Sequence, residues 1–402
     1  MNDVHRAVPG VLAGFRVLDF GRYIAGPYCA ALLADLGADV IRIERRGGGE
    51  DRTVAPVGED ETGAMFVVMN RNKRGMTLDP SAPSGREIVR KLVATADVVV
   101  ANLPPDVLRS LELDLDSLRR VKPDIILTTV TAFGAGGPWS HKHGFDGVAQ
   151  TMAGGAYLTG TPEQPMRAAV AWVDCSTASL AALGTLAALM ERGKTGHGQK
   201  VEAALLRTAV AFNNPTLVEQ QVIRPNRVAT LNRGQTSAPS DIFRTKDGGW
   251  IMAYAIGNPM YRRWAKLMGE DLWLSDPRFK DDKSRGDHGE LISKRMADWC
   301  AERTTAEALA ECEAAKVPAA PLYSPQQALE DPHIRQSGML VDREFPGLPR
   351  LAPIAPTPVD LSETPGRYRH RAPRLGEHTD EILKELGYGP EAIEEFRAND
   401  IV

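Results

Sequence analysis

One acidic residue, Asp174, separates a short apolar run, Ala168–Val173, from a long Ala/Leu-rich segment, and Ser176 and Thr177 follow at once. A carboxylate so placed has two readings. It is an N-cap for the coming helix, since aspartate is among the favoured capping residues. Or it is a nucleophile, held rigidly at a helix end and kept ionised by the free N–H groups and the positive end of the dipole. Spacing alone allows both. Cys175 stands beside it and could be taken for a nucleophile, but a free cysteine is more commonly a small buried apolar residue. Leu180, Leu183, Leu186 and Leu189 recur at every third position, which predicts a buried or half-buried helix of about four turns.

The elements that must carry this segment read as an α/β alternation. Phe15–Phe20 predicts a buried strand, Gly21–Pro27 a turn, Tyr28–Leu36 a helix stopped by Gly37, and Ala38–Glu44 a second strand. Strand, helix and strand in so short a span form a βαβ unit and imply a parallel sheet. The alternation continues with a helix over Glu87–Ala96, strands over Asp97–Ala101 and Ile125–Thr131, and a Gly-rich loop at Gly134–Pro138. No G-x-G-x-x-G accompanies the βαβ unit, so dinucleotide binding is weakly supported. Gly193-Lys194-Thr195-Gly196 follows a helix and does not lead one from a strand, and it reads as a helix stop. Residues 1–222 thus form a doubly wound, Rossmann-like α/β domain.

From about Ile223 to Gln336 the character changes to a smaller α+β domain. Trp250, Trp264, Trp273 and Trp299 concentrate there. Strands flank Lys246-Asp247-Gly248-Gly249 as a hairpin, and helices follow over Pro259–Leu267 and Gly289–Glu302. Residues 337–402 hold a proline-rich extended stretch, Pro346–Pro365, and a helix near Thr379–Leu386.

At 402 residues two domains are the prior, and a net charge of -4 with mixed signs argues against a nucleic-acid partner. No apolar run is long enough to suggest a membrane span, and the N-terminus lacks an export pattern. Cys29, Cys175, Cys300 and Cys312 form no C-x-x-C and have no histidine at ligand spacing. A reduced, cytoplasmic protein without a metal is the expectation.

Seven segments in series resemble the class III CoA-transferase family (CaiB/BaiF type), which includes formyl-CoA:oxalate and carnitine CoA-transferases and 2-methylacyl-CoA racemases. They are RVLDF…AGPYCAALLADLGADVIRIER (16–45), NRNKRGMTLD (70–79), ADVVVANLPP (96–105), FGAGGPW…GFDGVAQTMAGGAYLTG (133–160), DCSTASLAALGTLAALMERGKTGHGQKVE (174–202), DPHIRQSGML (331–340) and RLGEHTDEILKELG (374–387). The resemblance implies an interlocked homodimer, each subunit with a Rossmann-like domain built from both chain ends and a small domain between. It implies coenzyme A as the substrate thioester, a small carboxylic acid as the second substrate, and Asp174 as catalytic nucleophile through an aspartyl anhydride and an aspartyl-CoA thioester. At its ordinary pKa near ~3.9 the aspartate would be ionised at neutral pH with no general base.

The same resemblance assigns CoA contacts to Ile24, Ala25, Arg45, Leu78 and Asn102. His143 stands where some transferases carry a basic residue toward CoA. Where the family often has arginine after the N-x-x-P segment this chain has Ser110, with Arg109 one place earlier. Racemases of the family carry a histidine just before the Asp of the G-x-D segment; here it is Phe145, which makes 2-methylacyl-CoA racemisation the runner-up. The glycine run that closes over the intermediate in formyl-CoA transferases is missing from the small domain, so a larger, succinyl-type donor is expected.

Overall fold

The computed structural model describes residues 10–58 and 62–402. The stretch read for an export pattern lies, up to residue 9, outside them. By contact the chain divides into two compact units. One comprises residues up to Ala149, Val170–Phe212 and Pro332–Val402; the other comprises Gln150–Ala169 and Asn213–Asp331. Residues 150–169, which the sequence reading left in the large domain, group with the second unit.

In the first unit the chain runs β1 (Arg16–Asp19), α1 (Ala25–Asp35), β2 (Asp39–Glu44), α2 (Ala64–Met69), β3 (Lys73–Thr77), α3 (Pro83–Thr95), β4 (Val98–Ala101), α4 (Pro105–Ser110), α5 (Leu115–Val121) and β5 (Ile126–Thr131). After α6 (Asp146–Met152) come α7 (Trp172–Thr195), β6 (Lys200–Ala204) and α8 (Leu205–Ile223), the ends of α6 and α8, from Gln150 and from Asn213, being counted with the second unit. Six strands pair in parallel in the order β3-β2-β1-β4-β5-β6. A sheet covered on both faces needs apolar residues on both, and Val98, Val99, Val100 and Ala101 are all fully buried. The order reverses between β1 and β4, the switch point where open α/β sheets take ligands at their strand C-termini.

α7 is 24 residues long, longer than its leucine spacing suggested, and its buried face differs from the one expected. A repeat of three lags the helical repeat by roughly 60° per step, so the leucines wind around the cylinder. Leu180 and Leu183 are exposed, while Thr177, Ala178, Ala181, Ala182, Thr185, Ala188 and Leu189 are buried. These mostly small residues let α7 lie close on α1, itself lined by Ala30, Ala31 and Ala34, and on β5 and β6. A Cβ at Gly184 would come within 2.8 Å of Val201 Cγ1. Against the sequence reading, α7 is also long and apolar enough, by length and composition, to cross a membrane; here it packs on the sheet.

The second unit builds an antiparallel sheet, β7 (Ser240–Arg244), β8 (Trp250–Tyr254) and β9 (Ala319–Pro321), with β8 central. The hairpin is as read from the sequence. Its helices are α9 (Gly257–Leu267), α10 (Asp282–Asp287), α11 (Gly289–Ala301), α12 (Thr305–Ala314) and α13 (Pro325–Glu330). Trp264 and Trp299 are buried in its core with Tyr261 and Phe279.

The chain re-enters the first unit through α14 (Pro332–Gln336). Within the proline-rich stretch β11 (Ala352–Ile354) pairs antiparallel with β10 (Val341–Arg343), and α15 (Thr379–Glu385) and α16 (Pro390–Ala398) follow. Asn72 ties this return to β3. Its Oδ1 accepts from the Arg369 and His370 N–H groups, and its Nδ2 donates to Arg367 O. Ile382, Leu383, Ile401 and Val402 then join the same core as Leu18, Ile41 and Val99, each fully buried side chain of this kind contributing about 2 kcal/mol.

Candidate active site

At the switch point, the segments that leave β1, β4 and β5 surround a cavity of about 320 Å³. The first is the turn from β1 to α1. Gly21 is required by close approach, since a Cβ there would meet Asp19 Oδ1 at 2.7 Å. Two bonds fix it: its N–H donates to Asp19 Oδ1 (2.8 Å), and its carbonyl accepts from Arg42 Nη1 (3.0 Å). Tyr23 adopts the left-handed region, φ 61°, uncommon for a bulky residue. α1 then starts with no side-chain cap, and Ile24 and Ala25 face the cavity. An uncapped helix start directed at a cavity suits an anionic group.

Under this turn lies a buried charge network. Lys73 Nζ is fully enclosed and donates to Asp19 Oδ2 (2.7 Å), Pro27 O (2.7 Å) and Asn70 Oδ1 (2.8 Å). Arg42 reaches Asp51 Oδ2 at 2.7 Å, and Arg52 Nη2 donates to Glu44 Oε2 at 2.6 Å. Burial would raise Asp19 and Glu44, but Lys73 and Arg42 outweigh it at Asp19, and Arg42 and Arg52 at Glu44, so both stay below the ordinary carboxylate range. Burial pushes Lys73 down to about 8, with Asp19 opposing.

Asp174 opens onto the same cavity, half-buried, in the first turn of α7. It is not the cap. The N-cap is Ala171, without a side-chain bond; Asp146, at the start of α6, accepts from the Val173 N–H (2.8 Å) and the Asp174 N–H (3.1 Å) through Oδ2. Nor does the helix end keep Asp174 strongly acidic. Burial, then the neighbouring Asp146 charge, push it up to about 7, which corrects the expectation of an ordinary, fully ionised aspartate. No hydrogen-bond donor among the described residues contributes to lowering it. The Cys175 thiol is raised by burial and by both aspartates, so it is a poor thiolate source.

The other sequence-assigned residues divide. Ile24, Ala25, Asn102 and His143 line the cavity with Asp174. Arg45 and Leu78 line a neighbouring cavity of about 100 Å³, and Arg22 and Leu103 line both. Arg45 is half-engaged, donating to Gly48 O (2.5 Å) and Glu50 Oε1 (2.8 Å). Asn102 spends its amide on the turn: Oδ1 accepts from the Arg22 N–H (2.7 Å) and Nδ2 donates to Arg22 O (2.8 Å). Arg109, exposed on α4, lines neither cavity, and neither does Ser110 beside it. Phe145 is 63% exposed and meets Tyr23 edge-on at 5.6 Å; both line the cavity. Sequence reasoning missed Arg22, Tyr23 and the capping role of Asp146. The G-F-D triplet was visible, but its partner lies 28 residues away and no spacing rule links them.

A family model described as CoA-transferase family III matches residues 12–379. The chain is 34% identical to the succinyl-CoA–L-malate CoA-transferase beta subunit of Chloroflexus aurantiacus, over 97% of this chain and 98% of that one. It is 35% identical to the succinate–glutarate CoA-transferase of Agrobacterium fabrum, over 96% and 98% respectively. The crystal structure of a CaiB/BaiF family protein from Brucella suis superposes with a TM-score of 0.81 at 29% identity, covering 94% of this chain and all of that one.

Proposed function

The chain belongs to CoA-transferase family III, and we propose that it moves CoA from a succinyl-type acyl-CoA to a second carboxylic acid through covalent intermediates on Asp174. The observation that carries this reading is the Asp174 carboxylate itself: half-buried, without a donor among the described residues to occupy it, and open to the switch-point cavity. Attack by a carboxylate oxygen on the thioester carbonyl breaks the C–S bond and gives an acyl-aspartyl anhydride plus CoA thiolate. The thiolate then attacks the aspartyl carbonyl, releasing the donor acid as its carboxylate and leaving an aspartyl-CoA thioester. The acceptor carboxylate reverses the sequence: it displaces thiolate, which attacks the acceptor carbonyl and leaves as the new acyl-CoA, restoring Asp174. Each step exchanges one anion for another, so no proton is consumed and no general base is needed. Aspartate suits this because anhydride and thioester are both activated acyls, whereas an ester or amide would be too stable to exchange.

The reacting end of the substrate belongs in the larger cavity beside Asp174. The uncapped start of α1 at Ile24 and Ala25 would take phosphate oxygens, and the smaller cavity with Arg45 and Leu78 the adenosine end. His143 would face the CoA from the opposite wall. Phe145, at the position where the family's racemases carry their histidine, has no acid–base group, which supports transfer over α-proton exchange. Succinyl-CoA as donor is supported by the activities that the relatives' names carry. The active form in this reading is a homodimer, and Leu183 and Met190, 62% and 69% exposed on α7, are apolar surface for a second copy to cover.

The test is succinyl-CoA incubated with a panel of carboxylates and read by mass spectrometry. The expected result is a new acyl-CoA formed only with the matching acid present. Hydrolysis alone, or solvent deuterium entering the α-carbon of a 2-methylacyl-CoA without exchange, would overturn the reading.

A further inference from the structure

Asp146 takes no part in the bonds made and broken above, yet its placement is specific. It is 6% exposed and belongs to a different element from the helix that it caps. Oδ2 bonds the second and third backbone N–H groups of α7, the third being that of Asp174 itself. A neutral asparagine or serine oxygen would satisfy such donors equally well. An aspartate adds a full negative charge beside the Asp174 carboxylate, where a bare helix end would present positive potential.

We infer that Asp146 is a positioning residue that fixes the backbone of Asp174 at the start of α7 and, as a second carboxylate beside it, adds to burial in opposing its ionisation. This rests on Asp174 being the nucleophile, as proposed above. The electrostatics agree with the geometry: beyond burial, Asp146 is the group that raises Asp174, and no cation among the described residues offsets it. Basic side chains do stand nearby. Arg22, His141, Lys142 and His143 line the cavity along with Tyr23. Arg22 turns toward Glu50 at 3.8 Å, Lys142 lies 3.7 Å over the Trp139 ring, and Arg207 of α8 faces Glu202 at 3.6 Å. Cys175, next on α7, is pushed toward its neutral form by the same two aspartates after burial. Asp174 therefore keeps part of its population as the acid at neutral pH, and the share that can attack a thioester grows as pH rises.

The experiment is the pH profile of kcat/KM for succinyl-CoA, with the best acid from the carboxylate panel, for the wild type, Asp146→Asn, Asp146→Ser and Asp174→Ala. Asparagine and serine both cap helices without charge, so either variant carries the test should the other fail to fold. The wild-type acid limb is expected near pH 7. Both neutral-cap variants should move it down by roughly one pH unit, so that they lose less activity than the wild type between pH 8 and pH 6. A limb that stays in place in folded Asp146→Asn and Asp146→Ser proteins, with rates lowered equally at every pH, would make Asp146 a cap and nothing more. Wild-type exchange in Asp174→Ala would instead overturn the proposed nucleophile, whatever the profiles of the other two.

Discussion

Two groups of buried charge lie close together in the first unit and are built on opposite terms. Around Lys73 and Arg42, each carboxylate faces a cation: Asp19 meets Lys73 at 2.7 Å, Asp51 meets Arg42 at 2.7 Å, and Glu44 meets Arg52 at 2.6 Å. Asp19 and Glu44 stay ionised there although burial opposes it. At the entrance to α7 burial and a second carboxylate, Asp146, act on Asp174 in the same direction, and it is pushed up to about 7. The first arrangement spends its charges on each other and on the backbone of Gly21, so it holds the turn that shapes the cavity. The second leaves one carboxylate unsatisfied and open to the cavity. Compensated charge here builds, and uncompensated charge is what remains available for chemistry.

That contrast is sharpest in the loss of function. Asp174→Ala should fold and bind CoA but lose transfer by at least about a thousandfold; exchange assays beside a thermal melt separate the two effects. Next in size is the compensated side. Asp19→Asn leaves the Lys73 ammonium buried without its counter-ion and should cost about 3–5 kcal/mol in urea unfolding, whereas adding Lys73→Met to it should recover part of that loss. If the single change proves harmless, the network does not hold the fold. Smaller and of opposite sign is Asp174→Asn. With a folded-state pKa above the ordinary value, Asp174 binds more proton folded than unfolded between about pH 4 and pH 7, so stability falls as pH rises through that window. The neutral asparagine escapes this, and the variant should be more stable than wild type by about 2–4 kcal/mol at pH 8, with no difference below pH 4. An equal melting temperature at both pH values would mean that Asp174 is not held up.

Much of this was legible in the chain because it is local. The β1-α1-β2 unit, β4, β5 and the hairpin of β7 and β8 announce themselves by apolar runs and turn residues within a few positions. β3 did not, since Lys73-Arg74-Gly75 looks like a solvated loop until Asp19 and Asp39 supply partners from β1 and β2. The buried face of α7 was misread because leucine dominated the pattern, while close packing on α1 selects alanine and threonine. The site was legible in part. Motif resemblance pointed to Asp174, Ile24, Ala25, Asn102 and His143, which one cavity brings together, but not to the residue that caps the helix. Capping by Asp146, and the part of the Asp174 shift that it adds to burial, are properties of two distant segments meeting, and no window along the sequence contains both.

The most direct measurement is chemical capture at Asp174. Wild-type protein is mixed with succinyl-CoA and hydroxylamine, digested, and searched for an aspartyl hydroxamate in the peptide that carries residue 174. The account predicts that modification at Asp174, dependent on succinyl-CoA and missing from Asp174→Asn. Undiminished CoA transfer with an unmodified Asp174 peptide would contradict it.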